Sequence, residues 1–101
     1  MAKKNDDGKL LWHLLPTEAL EEIIKVLQYG AEKYSEDNWR TRPYLTRNRI
    51  VNASKRHQAA IDKGELYDEE TGLLHSAHKA CADLFQLYYD IHGMFNVDLT
   101  Q

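Results

Sequence analysis

The chain has 101 residues, of which 43% are hydrophobic and 29% charged, an ordinary balance for a single globular domain. No apolar run approaches the length of a membrane span and no stretch has the pattern of a secretory signal, so we expect a soluble protein without membrane partners. The net charge of −3 and the pI near 5.9 argue against a general nucleic-acid binder. The single cysteine, Cys81, excludes an internal disulfide and fits a reducing cytosol.

The predicted elements are helices separated by polar loops. Residues 1–9 are polar and are expected to be flexible. Apolar residues at steps of three and four predict helices over residues 17–34, 46–63 and 72–92. Residues 94–101 are expected to form a tail or an arm. No alternating run predicts a strand, so the sequence indicates an all-α fold.

Three amphipathic helices in so short a chain cannot easily bury all their apolar faces in a monomer. We therefore predict one helical domain over residues 1–101, built as a small bundle of three main helices. Homo-oligomerisation is expected to complete this bundle.

Charge is segregated along the middle of the chain. The stretch from Asn38 to Ile61 contains six arginines and lysines and no carboxylate, whereas five carboxylates fall within residues 62–70. Arginines can hold phosphates and carboxylates can hold a metal ion, so the pattern favours an anionic ligand that arrives with a cation. The alternative is that both runs are solvated surface.

Three histidines stand at positions where they can meet. His75 and His78 are three residues apart on one predicted helix, and His57 lies on the apolar stripe of another. If these stripes pack together, the imidazoles share a pocket and can contact phosphate, bind a metal or transfer protons. The alternative is that they are core histidines with satisfied hydrogen bonds.

The carboxylates after the second helix resemble a metal site in spacing. Glu65 and Asp68 form an E-x-x-D pattern followed by Glu70, and such hard oxygen ligands would hold Mg²⁺ against a triphosphate. The alternative is that they favour the positive end of the following helix. Asp83 is expected to pair with Lys79 at i, i+4.

Aromatic and basic residues cluster where the first helix ends: Lys33, Tyr34, Asn38, Trp39 and Arg40. An aromatic ring could stack on a nucleotide base while the amide reads the base edge and the cations contact phosphate. The alternative is a hydrophobic plug under a loop.

An ordered set of motifs resembles one family of phage proteins. The set comprises Asp7-Gly8-Lys9, Gly30-Ala31-Glu32-Lys33-Tyr34 followed by Asn38-Trp39-Arg40, Arg56-His57, Gly64-Glu65, Asp68, Glu70-Thr71-Gly72-Leu73, His75, and His78 with Ala80-Cys81. It spans about residues 6 to 88 and resembles the phage family named for the dATP/dGTP diphosphohydrolase N-terminal domain. This family is similar to the all-α, MazG-like nucleotide pyrophosphohydrolases.

The resemblance implies a magnesium-dependent reaction in the cytoplasm of an infected bacterial host, in which a purine dNTP is split into monophosphate and pyrophosphate. It implies three metal ligands: Glu65, Asp68 and Glu70. It also implies phosphate contact or proton transfer by five residues: Lys33, Arg56, His57, His75 and His78. Asn38 and Trp39 would recognise the base or anchor the loop. The sequence departs from the expected patterns in two respects. His75 and His78 occupy the third helix where the MazG-like pattern has carboxylates, and Asp83 stands where the family pattern has asparagine.

Two other functions fit the same residues. A non-catalytic pocket would sequester a nucleotide or a cyclic nucleotide, without a metal, and so counter a host defence pathway. A structural helical interaction module would use the motifs only to maintain its fold. Metal dependence separates hydrolysis from sequestration, and a lack of any stabilisation by nucleotides would favour the structural module.

Overall fold

Residues 8–33 and 47–93, the part of the chain described by the computed structural model, form an all-α bundle. A short 3-10 turn at Trp12–Leu14 precedes helix α1 (Thr17–Lys33), and helices α2 (Arg47–Asp62) and α3 (His75–His92) follow. The prediction of three main helices is confirmed. The described residues contain no strand, although Tyr67 and Leu74 form an isolated antiparallel bridge.

Helix α2 ends in a turn that requires a glycine. The Gly64 amide donates to the Ile61 carbonyl at 2.9 Å, and the Glu65 amide donates to the Ala60 carbonyl at 3.0 Å. This pair of bonds is the Schellman arrangement, in which the glycine adopts a left-handed backbone, here with φ of 91°. The chain therefore leaves α2 abruptly and turns back toward α3.

Helix α3 begins three residues later than predicted. The prediction placed its start at Gly72, but residues 66–75 first close a hairpin-like loop, in which Gly72 has φ of 74° and Leu74 is extended. The Asp68 amide donates to Leu73, the Gly72 amide to Asp68, and the His75 amide to Leu66, all at 2.7–2.8 Å. These backbone hydrogen bonds outweigh the helix propensity of residues 72–74, so His75 is the first residue of α3.

The core lies between α2 and α3. Ile50, Ala82 and Tyr89 are buried together, and Tyr89 is only 1% exposed. Cys81 on α3 is also buried. Burial raises the pKa of its thiol to about 12, which leaves it protonated and unreactive at neutral pH.

Helix α1 packs on α3 but buries none of its own residues. An apolar cavity of about 280 Å³ lies beside it, lined by Leu27, Leu84, Phe85, Leu87, Tyr88 and Ile91. Helices α1 and α3 both carry exposed apolar side chains that a second copy of the chain could cover. Oligomerisation itself stays a prediction. None of the helices among the described residues is long and apolar enough to cross a membrane.

Candidate functional site

Three histidines meet where α2 faces the first turn of α3. The Nδ1 atoms of His57 and His75 lie 2.8 Å apart, and the rings of His57 and His78 stack with centroids 4.7 Å apart and planes 11° from parallel. His57 reaches this position because it follows Ile50 by seven residues, two turns along the face of α2 that packs on α3. The structure thus brings together the three histidines that the sequence singled out.

The His57–His75 contact constrains the tautomers of the two rings. Two Nδ1 atoms at 2.8 Å form a hydrogen bond only if one carries a proton and the other offers a lone pair. In a neutral pair, the donating ring then has an unprotonated Nε2, and the accepting ring holds its proton on Nε2. One nitrogen of the pair is therefore available as a base.

The surroundings of the cluster favour neutral imidazoles. Burial lowers the pKa of His57, and the nearby His78 and His75 lower it further. Burial also lowers the pKa of His78, although the Asp68 carboxylate opposes that shift. At neutral pH these two rings are uncharged, the state in which imidazole accepts a proton or binds a metal.

A loop carboxylate is tied to the histidines through Thr71. Asp68 Oδ1 accepts hydrogen bonds from the Thr71 amide at 2.9 Å and from the Thr71 hydroxyl at 3.2 Å, and Thr71 Oγ1 lies 2.8 Å from His78 Nε2. Burial alone would raise the pKa of Asp68, but the hydrogen bonds from Thr71 and the nearby His78 keep it below its ordinary value. Asp68 is therefore an oriented anion beside the imidazoles.

An acidic cavity of about 480 Å³ opens next to the histidines. Its lining residues are Glu65, Tyr67, Asp68, Glu69, Glu70 and His75. All three carboxylates predicted as metal ligands line it, and His75 brings the imidazole pair to its wall. The cavity joins carboxylate oxygens to an imidazole, a combination suited to a cationic or metal-accompanied ligand.

Within the described ranges, one group of three side chains has ligating atoms that all lie within 4.8 Å of one another: His57, Asp68 and His75. Asp68 belongs to the predicted ligand set, and the two histidines belong to the predicted catalytic set. Glu65 and Glu70 lie outside this group, and their role as magnesium ligands stays a prediction.

Glu70 links the loop to helix α1. Its Oε2 accepts hydrogen bonds from the Tyr29 hydroxyl at 3.1 Å and from Lys33 Nζ at 3.2 Å. Both hydrogen bonds lower the pKa of the Glu70 carboxyl, and the bond from Lys33 has the larger effect. Lys33, predicted to contact substrate, is thus held beside the cavity by one of the cavity's own carboxylates.

The remaining predicted residues fall into two groups. Arg56 is exposed on α2, and its charge is close enough to help lower the pKa of His57. The other four predicted substrate contacts lie outside the described residues: Tyr34, Asn38, Trp39 and Arg40.

Asp83 makes two contacts away from the cluster. It pairs with Lys79 at 3.0 Å, as the i, i+4 spacing predicts, and its other oxygen accepts a hydrogen bond from Ser54 at 2.9 Å. The Asp83 carboxylate therefore joins α3 to α2.

Sequence reasoning missed three polar residues that hold the site and the bundle together: Ser54, Tyr29 and Thr71. Asp68 and Thr71 were a usable signal, because aspartate and threonine side chains in turns often bond to nearby backbone groups. Tyr29 and Ser54 had no comparable signal, since their partners lie 41 and 29 residues away in the chain.

Comparisons with known proteins agree on one family. Residues 1–98 match the family model described as "dATP/dGTP diphosphohydrolase, N-terminal". A protein of Salmonella phage PMBT28 named dATP/dGTP diphosphohydrolase is 38% identical over 82 residues, which cover 81% of this chain and 27% of the phage protein. The chain therefore spans about a quarter of the length of that curated relative. No solved structure matches.

Proposed function

Because the chain belongs to the family of dATP/dGTP diphosphohydrolase N-terminal domains, we propose that it serves hydrolysis of a purine deoxynucleoside triphosphate to monophosphate and pyrophosphate. The observation that carries the proposal is the acidic cavity that has His75 in its wall. Glu65, Asp68 and Glu70 supply negative charge there, and the His57–His75 pair supplies an imidazole nitrogen as a base.

The donor set in the cavity fits Mg²⁺. This ion prefers oxygen ligands and is commonly held by one or two carboxylates, with phosphates and water completing its shell. Four carboxylates line the cavity without closing around a common point, which suits an ion that enters with a triphosphate. When bound, Mg²⁺ neutralises phosphate charge and polarises the bond to be broken.

The side chains of this chain then have separate tasks. A water molecule attacks the α-phosphorus, the bond to the bridging oxygen breaks, and pyrophosphate leaves. His75 accepts the proton of that water, and His57 keeps the accepting ring oriented across their 2.8 Å contact. Lys33, Arg40 and Arg56 stabilise charge on the phosphates, and Tyr34, Asn38 and Trp39 select the purine.

A second candidate function is nucleotide binding without turnover. The ligating atoms of Glu65 and Glu70 do not join the close group formed by His57, Asp68 and His75, which is consistent with a pocket that does not assemble a carboxylate metal centre. The same basic and aromatic residues would then hold a nucleotide or a cyclic nucleotide without Mg²⁺.

The test is chromatography of dATP and dGTP after incubation with the purified chain, with Mg²⁺ or with EDTA. Hydrolysis predicts monophosphate and pyrophosphate only with Mg²⁺. Glu65→Gln should abolish turnover and leave the melting temperature unchanged, because Glu65 is exposed. Glu18→Gln, at the exposed start of α1, is the matched control and should keep full turnover.

The response to EDTA separates the two candidates, and the nucleotide binding constant tests the phosphate contact that both require. Arg56→Ala should weaken nucleotide affinity about tenfold, since one charge-assisted phosphate contact is worth about 1.5 kcal/mol. Stabilisation by a nucleotide that persists in EDTA, with the nucleotide recovered intact, would support binding alone. Unchanged affinity in Arg56→Ala would reject the assigned phosphate contact in both cases.

A further inference from the structure

The His57, Asp68 and His75 group brings together side chains from three successive segments: α2, the loop and the first residue of α3. From this geometry we propose that the three form a site for one divalent first-row transition-metal ion, such as Zn²⁺, Mn²⁺ or Co²⁺. The site uses nitrogen ligands that the proposed Mg²⁺ set lacks, although Asp68 belongs to both sets. An ion there would occupy both Nδ1 atoms in place of the His57–His75 hydrogen bond, so the proton transfer proposed for His75 belongs to the chain without this ion.

The donor atoms select the class of metal. Imidazole nitrogens suit Zn²⁺, Co²⁺ and their neighbours, whereas Mg²⁺ takes oxygen ligands. Two histidines and one carboxylate are a common ligand set for ions that keep coordination positions open, as in His₂Glu zinc sites and in iron sites with two histidines and one carboxylate. The combination therefore points to a site that also accepts water or a ligand oxygen.

The spacing of the nitrogens also fits. Two nitrogens bound to one ion at about 2.1 Å lie about 3.0 Å apart at an angle of 90° and about 3.4 Å apart at the tetrahedral angle. The two Nδ1 atoms are 2.8 Å apart, so small side-chain shifts would admit the ion. The proton now between them moves to the vacant Nε2 of the donating ring, and both rings stay neutral.

Neighbouring contacts hold the ligands in place. Thr71 donates to Asp68 through both its amide and its hydroxyl and also contacts His78, whose ring stacks on His57. Such outer contacts fix ligand orientation and are worth about 10–100-fold in metal affinity. Thr71 and His78 are therefore positioning residues for the site.

The site borders the acidic cavity. Asp68 and His75 belong to the group and also line the cavity. Three protein ligands leave coordination positions unfilled, so an ion there can take a ligand oxygen from the cavity side. A phosphate or a water molecule has the required chemistry.

The first test measures Co²⁺ binding to the full chain after bound metal has been removed, without nucleotide. Calorimetry and visible absorption monitor the binding. We expect one Co²⁺ per chain, and an excess of Mg²⁺ should not displace it. His57→Asn and Asp68→Asn should each weaken binding by more than about 100-fold, because losing a ligand should exceed the effect of losing an outer contact. Thr71→Ala should weaken it about tenfold.

The matched control is His13→Asn, which removes an exposed histidine from the 3-10 turn and should leave Co²⁺ affinity unchanged. Equal binding by His57→Asn and His13→Asn would overturn the assignment. So would a wild-type chain that binds no Co²⁺ or whose bound Co²⁺ is displaced by Mg²⁺.

A second measurement needs no variant and so does not depend on variant folding. On addition of Zn²⁺, the ring proton resonances of His57 and His75 should shift at one equivalent, while those of His13 and His92 should not. Equal shifts at all these histidines would reject the site. Because no nucleotide is present, a negative result here leaves the hydrolysis test unaffected, and the reverse is also true.

Discussion

Helices α2 and α3 form one half of the molecule and bury apolar side chains against each other, whereas helix α1 buries none of its own residues. The α2–α3 half contains the buried core, the histidine cluster and a loop closed by its own backbone bonds. Helix α1 is clearly amphipathic but has no buried residue, and Ile24 on its apolar face is 49% exposed. A strong sequence pattern therefore marks an apolar face of the helix, and it does not guarantee burial within one chain.

The largest expected effect is loss of the core tyrosine. Tyr89→Ala removes a side chain that is 1% exposed and should lower the free energy of unfolding by about 3–5 kcal/mol. Ile24→Ala in α1 should lower it by less than about 1 kcal/mol if the chain is monomeric. Urea unfolding measures both values.

The same pair of variants tests the predicted oligomer. If Ile24→Ala destabilises the chain as much as Tyr89→Ala does, then α1 is covered in solution and the contrast between the two halves disappears. In that case, light scattering should give an oligomeric mass for the unchanged chain and a mass closer to that of the monomer for Ile24→Ala. A monomeric mass for the unchanged chain would contradict oligomerisation.

A smaller effect is expected from the bond between α2 and α3. Ser54→Ala removes a donor that is 9% exposed and leaves Asp83 with Lys79 alone, so the free energy of unfolding should fall by about 1–2 kcal/mol. Ser76, which is exposed on α3, provides the control. Equal urea midpoints for Ser54→Ala and Ser76→Ala would show that this hydrogen bond adds nothing to the α2–α3 half.

The next effect is a pH dependence of the histidine cluster in metal-free protein. The pKa values of His57 and His78 lie below the ordinary value of about 6.5, so the unfolded chain takes up protons first as the pH falls. Stability is therefore complete above about pH 6.5 and decreases below it until the folded-state pKa values are reached. The pKa of Asp68 is also lowered, so protonation of this carboxylate reduces the stability of the fold only below about pH 3.9.

Thermal melting in EDTA measures this dependence. The melting temperature should be a few degrees lower near pH 5 than near pH 7.5. His78→Gln should reduce the difference, and His13→Gln should preserve it. A melting temperature that rises as the pH falls from 7.5 to 5 would contradict the neutral state of the cluster.

The smallest effect is expected at the contact that joins the two halves. Glu70 meets Lys33 and Tyr29 at an exposed position, where solvent screens the charges. Glu70→Gln should leave the urea midpoint unchanged, yet it should lower turnover if Glu70 binds Mg²⁺. A clear loss of stability would mean that this contact secures α1 to the rest of the bundle.

The sequence predicted the helices well because each has an apolar stripe with helical period. It placed the start of α3 wrongly, because the backbone bonds of Asp68 and Gly72 favour a turn over an early helix. It identified His57, His75 and His78 as residues that could meet, since two stripes that pack together bring their histidines together.

The sequence could not predict which donors converge within the site. Spacing grouped Asp68 with its neighbours Glu65 and Glu70, whereas the fold places Asp68 with His57 and His75. That grouping depends on how the hairpin-like loop closes against α2, and such long-range closure has no local signal in the chain.

The bond from the His75 amide to the Leu66 carbonyl has a consequence for local unfolding. The first amide of α3 is satisfied by the loop, so the loop cannot open without also releasing the start of the helix and the ring of His75. The amide protons of Asp68, Gly72 and His75 should therefore exchange with solvent at a common rate, as one cooperative unit. An ion held by His57, Asp68 and His75 would slow all three together, while the amides of α1 would exchange as before.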